Sequence, residues 1–235
     1  MLHPLHLQFQ QSQGTQKLRS IPVTLLFNDP DLNLRADYSA FDKTTGRPLC
    51  VGNGETARRM TQEGMQTVPC PGPQLCTFGQ EVRCKPYGRL NVQIEGQEDH
   101  LASFIFRTTG FNSIRTLAAR LSYWNAVSHG AAKYLPLSLK LRAKSTTQSH
   151  RAPIYYVDLT LREGVDSNEA LRQSTLQGKE HAEDDHALEA AARLGLSNGV
   201  LEETDEEREA VLEEFFGPED SSGQSVGRGL AQTAA

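Results

Sequence analysis

The chain has 235 residues, 37% hydrophobic and 23% charged, with 19 glycines and 11 prolines. That is enough for one globular domain of about 150 residues plus an appendage, and it excludes a collagen-like fibre or a wholly disordered chain and argues against a solenoid. The net charge of −5 conceals an asymmetry: residues 1–164 carry 19 Lys or Arg against 12 Asp or Glu, whereas residues 165–235 carry 5 against 17. Three parts are predicted: a flexible arm (1–20), a mildly basic body (21–164) and an acidic, helical or partly disordered tail (165–235). Such a tail can recruit a partner, compete for a basic surface or simply keep the protein in solution.

After a Gln- and Ser-rich start, Ile21 to Phe27 reads as a strand ending at the turn residues Asn28, Asp29 and Pro30. A second short segment runs from Leu32 to Tyr38, and the stretch between Cys50 and Cys70 is read as containing one short helix. The clearest strand follows Cys84, where Leu90, Val92 and Ile94 alternate with polar residues, and Leu101 to Thr109 returns to form a hairpin. Ile114, Leu117, Leu121 and Trp124 then recur at helical spacing on one apolar stripe, with Asn112 as the expected cap and Arg115 and Arg120 in solvent. Gly130 closes that helix. Leu137, Leu139 and Leu141 alternate with polar residues, and Ile154 to Leu161 completes a second hairpin.

Beyond Gly164, Asn168 is the expected cap of a first tail helix. Leu188, Ala191 and Leu194 mark a second, after a polar stretch from His181 to His186. Thr204 is the expected cap of a third, whose Val211, Leu212, Phe215 and Phe216 form a small apolar patch suited to a partner or a second copy. The order strand, strand, helix, strand, strand predicts an α+β fold, with antiparallel hairpins packed around a central helix.

No apolar run approaches the roughly 20 residues that span a bilayer, and Met1-Leu2-His3-Pro4 lacks the start of a signal peptide. This predicts a cytoplasmic protein without membrane contact. In a reducing compartment Cys50, Cys70, Cys76 and Cys84, confined to 35 positions, read as ligands of one structural Zn2+ that orders a loop-rich segment too small for its own core. Their separations of 19, 5 and 7 residues are not those of a compact zinc finger, and unpaired thiols or disulfides are the alternatives. Four thiolates would close the metal's shell, which weighs against catalysis there. His181, Glu183, Asp184, Asp185 and His186 match neither a zinc-protease nor a calcium-loop spacing and read as a solvated helix face.

Lys133, Lys140, Arg142, Lys144 and Arg151 surround the second hairpin, and Arg83, Lys85 and Arg89 flank the last cysteine. Together they are a candidate DNA-binding surface, with Thr146, Thr147 and Gln148 as loop contacts to phosphate. Tyr87, Tyr155 and Tyr156 are candidate stacking platforms, although adjacent Tyr155 and Tyr156 must point to opposite faces of a strand.

The cysteine segment running into Cys84-Lys85-Pro86-Tyr87-Gly88-Arg89-Leu90-Asn91-Val92, the Thr109-Gly110-Phe111-Asn112 junction and the Pro153–Leu161 strand resemble the recombination-directionality-factor-like family of phages and integrative elements. They are also similar to mobile-element proteins labelled hydrolase or metal-binding. The resemblance spans roughly residues 45–162. It implies a zinc-containing accessory protein that binds a serine integrase, or another recombination protein, on DNA and biases recombination toward excision. A single-strand DNA binding or annealing factor and a metal-dependent hydrolase are the alternative functions.

Overall fold

The computed structural model of the chain describes residues 3–99, 102–145, 147, 151–198 and 205–216. Its centre is β6 (Lys85–Ile94), whose Tyr87, Leu90 and Val92 are buried. Along one edge of β6 two strands lie end to end: β2 (Leu34–Phe41) pairs with residues 85–90 and β1 (Ser20–Leu25) with residues 92–94. The other edge takes β7 (Phe104–Thr108). From β2 the sheet continues through β3 (Pro48–Gly52), β4 (Thr56–Thr61) and β5 (Gly64–Pro69). From β1 it continues through β8 (Leu137–Lys144) and β9 (Ile154–Leu161), every pairing being antiparallel.

The joint between β1 and β2 is a short helical turn, α2 (Pro30–Asn33), started by Asp29 and its N1 proline. Asn33 is fully buried there. Its Oδ1 accepts from the amides of Leu26 and Phe27, and its Nδ2 donates to the carbonyls of Phe27 and Asp29. One side chain thus satisfies four backbone groups that the break between strands would otherwise leave orphaned.

The main core lies under α4 (Phe111–Val127), which turns Ile114, Leu117, Leu121 and Trp124 inward as their spacing predicts. Leu117, Leu121 and Trp124 pack on Val23, Leu25, Leu90, Val92, Leu137 and Leu159. The indole N–H of Trp124 donates to the Leu159 carbonyl at 3.0 Å, so its one polar atom is not left unpaired. Burying a leucine fully is worth about 1.5–3 kcal/mol, and Leu90, Leu135, Leu137 and Leu159 are all completely enclosed. Helix α4 lies close on β6 because position 88 is glycine: a Cβ there would stand 2.8 Å from Ile114 Cγ1.

The fold is α+β with one large antiparallel sheet, and several local expectations are corrected. Residues 4–13 form a helix, α1, where a loose arm was expected. His3 caps it, Pro4 starts it, and Leu5 is buried. The stretch expected to hold a short helix instead supplies the β4–β5 hairpin, closed by Gln62 and Glu63 ahead of Gly64 at φ +105°. Gly110, not Asn112, occupies the cap of α4; Asn112 Oδ1 accepts from Lys144 Nζ at 2.8 Å. Asp166, not Asn168, caps α5 (Ser167–Glu180), through a bond from the Glu169 amide. Helices α6 (Ala182–Asn198) and α7 (Asp205–Phe216) follow. Expectations for Thr146, Gln148, Thr204 and the chain after residue 216 fall outside the described residues.

Candidate metal centre and its surroundings

The four cysteines come from separate elements and meet at one end of the sheet. Cys50 lies in β3 between Ala40 of β2 and Arg59 of β4. Cys70 follows β5, its amide donating to the Glu55 carbonyl at 2.8 Å. Cys76 caps α3 (Thr77–Glu81), its Sγ accepting from the Gly79 amide at 3.3 Å. Cys84 precedes β6, its amide bonded to the Gly79 carbonyl at 2.7 Å.

Two glycines make this convergence possible. A Cβ at Gly79 would lie 3.1 Å from Cys84 Cβ and 3.2 Å from Cys76 Cβ; one at Gly52 would lie 2.7 Å from Cys70 Sγ. All four thiols are free. Their hydrophobic surroundings are small: Ala40, Cys50 and Ala57 are buried, with Val68, Phe78 and Val82 partly so.

Arg59 is the cationic member of the cluster, and sequence reasoning missed it. It sits directly across from Cys50, donates to Cys76 Sγ at 3.4 Å and lays its guanidinium over the Phe78 ring, 4.2 Å from the centroid. Burial alone would lower the Arg59 pKa, yet Cys50 and Cys76 raise it above the ordinary value. Its Nε is buried with no hydrogen-bond partner among the described residues. Burial, with the neighbouring Cys50, Cys70 and Cys76, pushes the Cys84 thiol up to about 12. Without an added cation, then, Cys84 keeps its proton at neutral pH.

Among the described residues no three histidine, cysteine or acidic side chains are already set around a single point. The donor chemistry and the glycine cradle fit a structural zinc ion, and Cys50, Cys70, Cys76 and Cys84 are the residues that would hold it. Four thiolates and Zn2+ carry a net charge of −2, and Arg59 is placed to offset part of it.

The expected basic surface is largely engaged within the protein. Lys140, Arg142 and Lys144 do share one face of β8, but Lys140 pairs with Glu163, and Arg142 meets Asp158 of β9 at 2.7 Å. Arg120, expected in solvent, reaches the same carboxylate at 2.9 Å. Burial would raise the Asp158 pKa; Arg120 and Arg142 hold it below the ordinary carboxylate range instead. Lys144 also lies over the Tyr156 ring. Lys133 is drawn away to Asp185 at 2.8 Å. Arg83 and Arg151 are exposed, both at positive φ. Arg89 lies over the Tyr87 ring and Lys85 donates to the Phe215 carbonyl.

Of the candidate stacking rings Tyr155 is 59% exposed, Tyr156 is half-buried, and Tyr87 is corrected to a core residue at 1%. Phe41 and Phe215 enclose Tyr87. The apolar patch of the last helix also turns inward: Val211 and Phe215 are buried, with Phe216 packed beside them. Asp185, read as part of a solvated face, is a buried tie that accepts from Asn28 Nδ2, Lys133 Nζ and Tyr134 OH at 2.8–2.9 Å.

No helix among the described residues is long and apolar enough to cross a membrane. The fold defines an α+β protein built on one large antiparallel sheet, with four free cysteines toward one end and three helices after the last strand. The family model described as "Gp3-like: Recombination directionality factor-like" matches residues 4–162, more than half of the chain, and the chain belongs to that family. No curated protein and no solved structure matches it.

Proposed function

We propose that this chain is a zinc-containing accessory protein of recombination in a phage or mobile element, which binds a recombinase on DNA and biases it toward excision. The observation that carries this reading is the family match, which includes all four cysteines and the β8–β9 hairpin. The zinc ion would stiffen the β3–β5 end of the sheet, where little apolar surface is buried. Lys140, Arg142, Lys144, Arg151 and Arg83 would supply a weak, non-specific attraction to phosphate, since two of them are already paired with carboxylates. Specificity would then come from the protein partner, a serine integrase or another recombination protein.

The test is a recombination assay with the element's own recombinase and paired attachment sites. The full chain is expected to shift products from integration to excision. Neutralising Lys140, Arg142, Lys144 and Arg151 together is expected to weaken DNA association while leaving partner capture in place. No change in product direction, with recombinase bound or unbound, would refute the reading.

A further inference from the structure

The contacts of Arg59 converge on sulfur. It stands on β4 directly opposite Cys50 of β3, and side chains opposed in this way have Cβ atoms about 4.5–5.5 Å apart. Its Nη2 donates to Cys76 Sγ at 3.4 Å, and its Cζ lies 4.2 Å from the centre of the Phe78 ring, a flat cation on an aromatic face. Arg59 therefore ties β4 to β3 and to α3, the elements that carry Cys50 and Cys76. Among the described residues no carboxylate meets it, and sulfur is its hydrogen-bond acceptor. Its Nε is buried there with no acceptor. A buried guanidinium donor left over in this way costs free energy, and the anion that suits it is a metal-bound thiolate.

The sulfurs are also treated unequally. Cys76 Sγ accepts a second bond, from the Gly79 amide at 3.3 Å, whereas among the described residues no donor reaches the sulfur of Cys70 or Cys84. We propose that Arg59 is a positioning residue for the zinc ion: from outside the coordination shell it clamps the sulfurs of Cys50 and Cys76 and sets how strongly that pair donates to the metal. The proposal rests on the zinc reading above. An N–H donor draws electron density from a sulfur lone pair, so clamped thiolates repel one another less and share less charge with the ion. One guanidinium also opposes the −2 charge of Zn2+ with four thiolates. Residues in this position behind metal ligands are commonly worth about 10- to 100-fold in metal affinity.

The probe is the metal alone, added to the reduced full chain: Zn2+ against a competing chelator, and Co2+ followed through its sulfur-to-cobalt charge-transfer absorption. Wild-type protein is expected to take up about one ion per chain. Arg59→Met keeps a long stem over Phe78 and removes the donors. It is expected to hold zinc at least about ten-fold more weakly and to move the charge-transfer band to lower energy, since the sulfur lone pairs are released. Arg59→Lys returns the charge without the planar fork and is expected to fall between the two in both readouts. Wild-type affinity and an unmoved band in Arg59→Met would overturn the proposal, because Arg59 would then only pack on Phe78. If Arg59→Met loses its folded circular-dichroism signal, the same result in Arg59→Lys would overturn it. A wild-type chain that takes up no zinc would overturn this proposal and the zinc reading together, whereas zinc uptake with an indifferent Arg59 would overturn this one alone.

Discussion

The two ends of the sheet are held together by different means. Under α4, Leu117, Leu121 and Trp124 press on five strands, and the packing is continuous and apolar. Across β3, β4 and β5 the buried side chains are Cys50 and Ala57, beside Ala40 of β2, and the larger apolar groups are only partly covered. The first end is stabilised by area removed from water. The second gathers thiols and a guanidinium where a core should be, which makes sense if an ion supplies the missing cohesion. Burying a thiol cluster and an arginine without one would leave polar groups poorly compensated.

The sharpest way to break this contrast is at the sulfurs. Joint replacement Cys50→Ser and Cys84→Ser is expected to remove about one zinc per chain in elemental analysis. It should abolish amide protection in β3–β5 while leaving β8 protected, because structural zinc can contribute on the order of 10 kcal/mol to ordering a small segment. Unchanged protection in β3–β5 would mean that the thiols are ordinary packing residues. Next in size is the opposite end: Leu121→Ala is expected to cost about 2–5 kcal/mol in denaturant titration, with zinc content retained.

The smallest effect concerns charge. The Asp158 pKa lies below its ordinary 3.8 in the folded protein, so its contribution is fully present above that value and is lost as pH falls through the folded pKa. Asp158→Asn is therefore expected to cost about 1 kcal/mol near neutrality, since Arg120 and Arg142 remain partly solvated, and almost nothing once the pH has fallen below the folded pKa. Equal destabilisation at both pH values would assign Asp158 a role in packing rather than charge.

What was legible in the sequence followed from short-range periodicity. The α4 stripe, the β6–β7 hairpin and the β8–β9 hairpin each carry a complete apolar pattern, and each stands nearly where expected. The β4–β5 hairpin was missed because Arg58, Arg59, Thr61, Gln66 and Thr67 give it no apolar face: of its side chains only Ala57 is buried. Arg59 became visible only with the strand register that sets it across from Cys50. Asp185 and Tyr87 were misread for a related reason. Their partners lie far away in sequence, at Asn28 and Lys133 for the first and at Phe215 for the second, and no local motif announces such a meeting. That Cys50, Cys70, Cys76 and Cys84 are a candidate set follows from their closeness in sequence, whereas the contacts of Gly52 and Gly79 with them show only in the backbone.

Strand β6 belongs to both ends of the sheet. Its first residues pair with β2 beside the sulfurs and its last with β1 beside the leucines. A single ribbon shared in this way gives the two ends one continuous backbone. The amides of Val92 and Ile94 thus become a remote gauge: their exchange rates should register whatever seizes or releases Lys85 and Tyr87 at the opposite extremity.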